Sequence, residues 1–188
     1  MEIIELTAQN VVTGITNIIK EQRECVVYGV PYNNYVFVGR NTEDQYNKEY
    51  CEQHNIELLQ FPNQGGVIVL SSGDFDIGHF SKDHDTGFNF KFAEVFINYL
   101  KNKGINASLE GNDILIDNKY KCGSFSSRIY GEILYSAFHI SIGMNLDLIS
   151  NICTKPMVKI PKGLREYGID TEEVKHLFLN FLSSLDIC

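Results

Sequence analysis

The sequence has no tryptophan and only 4 prolines in 188 residues. It has no long uncharged apolar run, so no membrane-spanning helix is expected. Base is scarce: 16 Lys and Arg stand against 24 Asp and Glu, a formal net charge of -8. A chain of that sign is poorly suited to nucleic acid held by general electrostatics. Cys25, Cys51, Cys122, Cys153 and Cys188 are odd in number and never spaced Cys-x-x-Cys. That argues against a zinc site or a disulfide framework and for reduced thiols. The N-terminus opens Met1-Glu2-Ile3-Ile4-Glu5, acid where a secretory signal carries base. With no signal read, the expected location is the cytoplasm.

What remains is an ordinary globular composition, 44% hydrophobic and 21% charged. Its length suits one domain, 1–188, able to bury a core without staples. Ala8, Val11, Val12, Ile15, Ile18 and Ile19 fall near one face of a helix. Segments 25–30, 35–39, 56–60 and 67–70 read as strands, and Thr42 to Gln45 reads as a capping box opening a polar helix to about His54. Segment 71–87 is polar and reads as a loop, or a loop with a short edge strand. Its Asp74, Asp76, Asp83 and Asp85, with His79 and His84, match no metal-ligand spacing and read as solvated. Phe92, Val95, Phe96, Tyr99 and Leu100 have helical spacing, closed by Gly104. Asp117-Asn118-Lys119 signals a hairpin turn, 132–146 is apolar and rich in β-formers, and Asp170 caps a last helix, 170–186. Strands and helices mix without a βαβ alternation. The fold class expected is α+β, a mixed and largely antiparallel sheet with packed helices. The last helix belongs to that domain or is an appendage.

Four segments carry a family resemblance through their order. They are Tyr35-Val36-Phe37-Val38-Gly39-Arg40-Asn41; Gln64-Gly65-Gly66-Val67-Ile68-Val69; Gly111-Asn112-Asp113-Ile114-Leu115-Ile116 with Lys119-Tyr120-Lys121-Cys122-Gly123-Ser124; and Phe138-His139-Ile140-Ser141 running to Asn145-Leu146-Asp147-Leu148. The chain resembles the catalytic domain of lipoate-protein ligases, relatives of biotin ligases and octanoyltransferases, most closely over 35–165. The resemblance implies a class II synthetase or biotin-ligase-like fold. Two departures stand out: Gln60-Phe61-Pro62 replaces the family's arginine pair, and Ile140 replaces the glycine after its histidine.

The resemblance implies an enzyme that activates lipoate or octanoate with ATP and Mg²⁺. It transfers the acyl group to a lysine on a lipoyl carrier domain, of a 2-oxoacid dehydrogenase or a glycine cleavage H-like protein. A separate accessory domain is a further implied partner. Lys121 becomes the catalytic cation; its ordinary reading is a solvated lysine beside a hairpin. Gly65 and Gly66 become a backbone cradle for substrate, or simply a turn. Asn112 and Asp113 fall near ATP, with Asp113 a magnesium ligand, or form the polar start of a strand. Gly123 and Ser124 flank the lysine in the substrate site, or are turn residues. His139 joins the acyl-binding wall, or is a satisfied core histidine. Two other functions stay open. One is an acyl-carrier-dependent octanoyltransferase or amidotransferase with Cys153 as thioester nucleophile, against its ordinary reading as a buried small hydrophobe. The other is a degenerate, non-catalytic relative that binds a ligand or partner.

Overall fold

The computed structural model describes residues 1–7, 10–39, 42–60 and 66–185. With strands numbered in chain order, the main sheet runs β1 (Glu2–Leu6), β2 (Cys25–Gly29), β6 (Phe75–Ser81), β10 (Ile133–Ile140), β9 (Tyr120–Tyr130), β8 (Asp113–Ile116), β7 (Ala107–Glu110). The short β11 (Ile160–Pro161) lies parallel to the start of β9. Apart from that contact and the parallel β1–β2 pair, the sheet is antiparallel. A second sheet has the order β4 (Glu57–Gln60), β3 (Tyr35–Val38), β5 (Val67–Leu70).

Side-chain alternation along these strands decides what covers each face. On one face of the main sheet, α3 (Gly87–Asn102) and α5 (Thr171–Ser184) bury Phe92, Phe96, Phe178 and Leu182 against Phe75, Ile114 and Phe138. The last helix is thus packed into the main core. Its start is fixed by a capping box: Asp170 accepts from the Glu173 N–H, and Glu173 reaches back to the Asp170 N–H. On the other face, α1 (Val11–Glu21) buries Ile15 and Ile18 against Leu6, Cys25, Val27 and Phe80. Behind the second sheet, α2 (Lys48–Gln53) and α4 (Leu146–Ile152) pack Cys51, Leu148, Ile149 and Ile152 on Val36, Val38 and Val69. The β8–β9 hairpin turns at Asp117 and Asn118, both left-handed (φ 53° and 54°), a conformation these residue types tolerate. No helix among the described residues is long and apolar enough to cross a membrane.

The structure corrects the sequence reading in three places. Segment 71–87 carries β6, which lies in the middle of the sheet between β2 and β10. One face of that strand bears Asp76 and Gly78, which broke the apolar pattern expected of a central strand. The polar helix begins at Lys48, where the Asn47 side chain accepts from the Tyr50 N–H at 3.0 Å. The Thr42 hydroxyl instead donates to the Gly39 carbonyl at 2.9 Å. Asp74 is fully buried rather than solvated. One of its oxygens accepts from Ser71 N–H at 2.8 Å, the other from Ile142 and Gly143 N–H at 2.8 and 2.9 Å. The carboxylate thereby ties the β5–β6 turn to the chain leaving β10.

Asp74→Ala leaves those backbone donors without their acceptor, at a cost of about 1–3 kcal/mol for each buried orphan. The expected loss is roughly 3 kcal/mol in urea unfolding. A loss below about 0.5 kcal/mol, the level of an ordinary surface substitution, would contradict this role.

Candidate active site

The two sheets enclose a cleft of about 540 Å³. Its lining follows from strand register. Gly29, Asp76, His139, Ser124 and Asp113 are successive partners across β2, β6, β10, β9 and β8, so they stand in one row on one face. Two residues along, Val27, Gly78, Ala137 and Ser126 form a parallel row of small side chains. Beyond it stand Tyr135 and Arg128, again partners. The facing side of the second sheet supplies Tyr35, Phe37, Leu59, Ile68 and Leu70, and Leu6, Val11 and Ile15 add apolar wall. The result is a trough with a polar rim, a small-residue floor and an apolar roof. A Cβ at Gly78 would lie 2.8 Å from Val27 Cγ2 and 2.9 Å from Tyr135 Cε2, so the floor has no room for a larger residue there.

Lys121 reaches the rim through an irregularity. Leu115 pairs with Lys121, yet Ile114 pairs with Gly123, so one extra residue, Cys122, is inserted in β9. In an unbroken strand Lys121 and Ser124 would point to opposite faces. The inserted residue turns both into the cleft, as β-bulges do when they re-aim a side chain. Cys122 faces the helix-covered core, its thiol donating to the Ile114 carbonyl, and burial pushes it up to about 12. It is a packing residue.

The Lys121 ammonium lies 2.8 Å from Asp113 Oδ1. The other oxygen, Asp113 Oδ2, is 3.0 Å from Lys159 Nζ, which also meets Glu110 Oε1 at 2.9 Å. Burial alone would raise the Asp113 carboxyl pKa, but Lys121 and Lys159 hold it below the ordinary carboxylate value. Further along the row, His139 Nδ1 is 2.8 Å from Asp76 Oδ1, and its Nε2 is 3.2 Å from Ser141 Oγ and 3.8 Å from Asp74 Oδ2. Burial would depress the imidazole, but Asp76 and Asp74 outweigh it and raise its pKa above 6.5.

Of the residues singled out from the sequence, Lys121, Asp113, Ser124 and His139 converge on the cleft. Four do not line it. Asn112 is exposed, and its carbonyl accepts from Phe125 N–H at 3.0 Å, so its work is backbone pairing. Gly123 packs under the sheet, where a Cβ would lie 3.1 Å from the His139 carbonyl. Gly66 closes β3 onto β5 by accepting from Gly39 N–H. Gly65 lies outside the described residues. Cys153 is the fourth. It ends α4, bridges to Tyr46 and packs behind the second sheet, where burial raises its thiol pKa; it is not in the cleft lining. Sequence reasoning missed Asp76, Gly78, Ala137 and Lys159. The alternation of Phe75, Ile77 and the core with Asp76 and Gly78 was the available signal for two of them.

Among the described residues no group of three or more His, Cys, Asp or Glu is gathered to hold a metal. Asp113 is a single carboxylate with an ammonium on each oxygen. That donor set fits magnesium only where phosphate oxygens and water complete the shell.

His139 gives a pH prediction. Its folded-state pKa is raised, so the imidazolium stabilises the fold fully below the unfolded value of about 6.5, and that stability is lost as pH rises through the folded-state pKa. Asp76→Asn is expected to lower the His139 titration midpoint measured by NMR. An unmoved midpoint would contradict the pairing.

The model of the lipoyl protein ligase A/B catalytic domain matches residues 9–181. Lipoate–protein ligase 1 of Staphylococcus aureus is 27% identical over 136 residues, which is 69% of this chain and 41% of that protein. The chain therefore spans about two-fifths of the length of this curated relative. Among solved structures, a lipoate-protein ligase A bound with ATP aligns with TM-score 0.79 and 15% identity over 97% of this chain and 84% of its own. The bi-partite lipoate protein ligase of Thermoplasma acidophilum, determined with its E2 lipoyl domain, aligns with TM-score 0.75 and 16% identity over 97% and 82%. These two likenesses are of fold. With the family model matched over nearly its whole length, the chain belongs to the lipoyl protein ligase A/B catalytic domain family.

Proposed function

We propose that this domain activates lipoate or octanoate with ATP and passes the acyl group to a lysine of a carrier domain. One observation carries the reading: a lysine ammonium turned by an inserted residue onto the polar rim of a narrow apolar trough. An aliphatic acid fits such a trough end to end. Its chain lies on Val27, Gly78, Ala137 and Ser126 beneath Phe37, Ile68 and Leu70, gaining roughly 0.8 kcal/mol for each methylene buried. Its carboxylate then falls at the rim, beside Lys121.

In the first step the carboxylate oxygen attacks the α-phosphorus of ATP and pyrophosphate leaves. Both reactants are anionic, and an ammonium between them offsets the repulsion and stabilises the charge of the transition state. In the second step the amine of the carrier lysine attacks the acyl carbonyl and AMP leaves, with Lys121 polarising the carbonyl oxygen. A magnesium ion held by Asp113 and the phosphates would supply further charge neutralisation. His139, held by Asp76, forms the rim next to Ser124. The ATP bound by one relative and the E2 lipoyl domain determined with another support these choices of nucleotide and carrier. The bi-partite relative likewise supports a separate accessory chain as a partner. The thioester route loses its support because Cys153 lies behind the second sheet. The degenerate reading is disfavoured by a lysine and trough that remain assembled.

Isothermal titration with a stable sulfamoyl analogue of lipoyl-adenylate tests the proposal. Binding is expected, weakened roughly 100-fold or more by Lys121→Ala, with loss of lipoate-dependent pyrophosphate exchange. No binding by the unaltered chain would overturn the reading. Ala137→Val, at a half-buried position that already carries a Cβ on the floor, should narrow the trough and weaken octanoate binding at least tenfold while the thermal midpoint moves little. Unchanged octanoate affinity would show that the tail lies elsewhere.

A further inference from the structure

Lys159 lies outside the cleft lining, yet it is built into the same group of charges. It precedes β11, whose Pro161 pairs with Lys121, and Lys162 N–H donates to the Lys121 carbonyl at 2.8 Å. The strand that fixes the Lys121 backbone thus also delivers the ammonium that holds its counter-ion. Glu110, Asp113, Lys121 and Lys159 form a chain of ion pairs with no net charge. Glu110 and Asp113 are cross-strand partners on β7 and β8.

In the reaction above, Lys121 must turn from Asp113 toward the acyl carboxylate and the phosphate. Until a magnesium ion is in place, Asp113 alone would resist, because a partly buried carboxylate left without a partner is costly. With Lys159 on its second oxygen it is never left unpaired. Lys159 also pins the plane of the carboxylate, and so the direction in which Lys121 rests.

We infer that Lys159 is a positioning residue for Lys121, acting through the Asp113 carboxylate. This role rests on the ligase reading of the cleft. Lys159→Met removes the cation and keeps the aliphatic stem. Because Lys159 touches neither floor nor roof, the effect falls on the chemical step and not on binding of the acid.

The experiment is steady-state lipoate-dependent pyrophosphate exchange by the full chain, with its thermal midpoint measured alongside. Lys159→Met is expected to lower kcat about tenfold, the scale on which small misplacement of a reacting group acts. The KM for lipoate should stay within about twofold. Lys159→Arg should restore most of kcat. In an Asp113→Asn background Lys159→Met should add little, since two residues acting through one contact are not additive. If Lys159→Met does not fold, Lys159→Gln carries the same comparison. Unchanged kcat, a rise in KM alone, or an equal loss in both backgrounds would overturn the role of Lys159. Absence of exchange by the unaltered chain would instead overturn the ligase reading, and this role with it.

Discussion

The placement of one ammonium depends on one inserted residue. Cys122 shifts the β8–β9 register between Ile114 and Leu115, and the shift brings Lys121 onto the same face as Asp113, Ser124 and His139. Everything around it keeps that irregularity in place. Cys122 itself is sealed in the core beneath Ile114. The hairpin ahead of it is set by two left-handed residues. Behind it, β11 adds a parallel pairing that fixes the Lys121 carbonyl. A bulge disrupts the ladder locally, and here both flanks are pinned, so the disruption does not spread.

The cleft and the core are two faces of the same strands. Phe138 and Ile140 anchor β10 in the aromatic core of α3 and α5, which leaves Ala137 and His139 to line the trough. Phe75 and Ile77 do the same for β6, leaving Asp76 and Gly78. Rigid packing on one side therefore dictates the spacing of polar and small groups on the other. The buried Asp74 carboxylate extends the arrangement, since it holds the chain leaving β10 while its charge helps to keep the His139 proton.

Much of this was legible in the sequence. The α+β class, the hairpin at Asp117 and Asn118, the Asp170 cap and the strands of the second sheet all followed from period and turn chemistry. The ordered segments around Lys121 and His139 carried the family. What was not legible has physical causes. β6 was concealed because a strand facing a cleft carries Asp and Gly where an ordinary central strand carries apolar residues. Asn112 and Gly123 flank the site in sequence but serve the backbone, a distinction set by register. Lys159 is far from Lys121 in sequence, and only the parallel pairing of β11 with β9 brings them together. Cys153 lay at a suggestive distance along the chain, but α4 carries it behind the second sheet.

The central claim is that Lys121 meets the reacting groups at the rim while the acyl chain lies on the floor of small residues. A crystal structure of the chain with a non-hydrolysable lipoyl-adenylate tests it most directly. The account predicts Lys121 Nζ about 3 Å from an oxygen of the acyl–phosphate linkage, with the tail over Gly78 and Ala137. A ligand bound elsewhere, or a tail in the trough with Lys121 still on Asp113 and out of reach of the linkage, would contradict it.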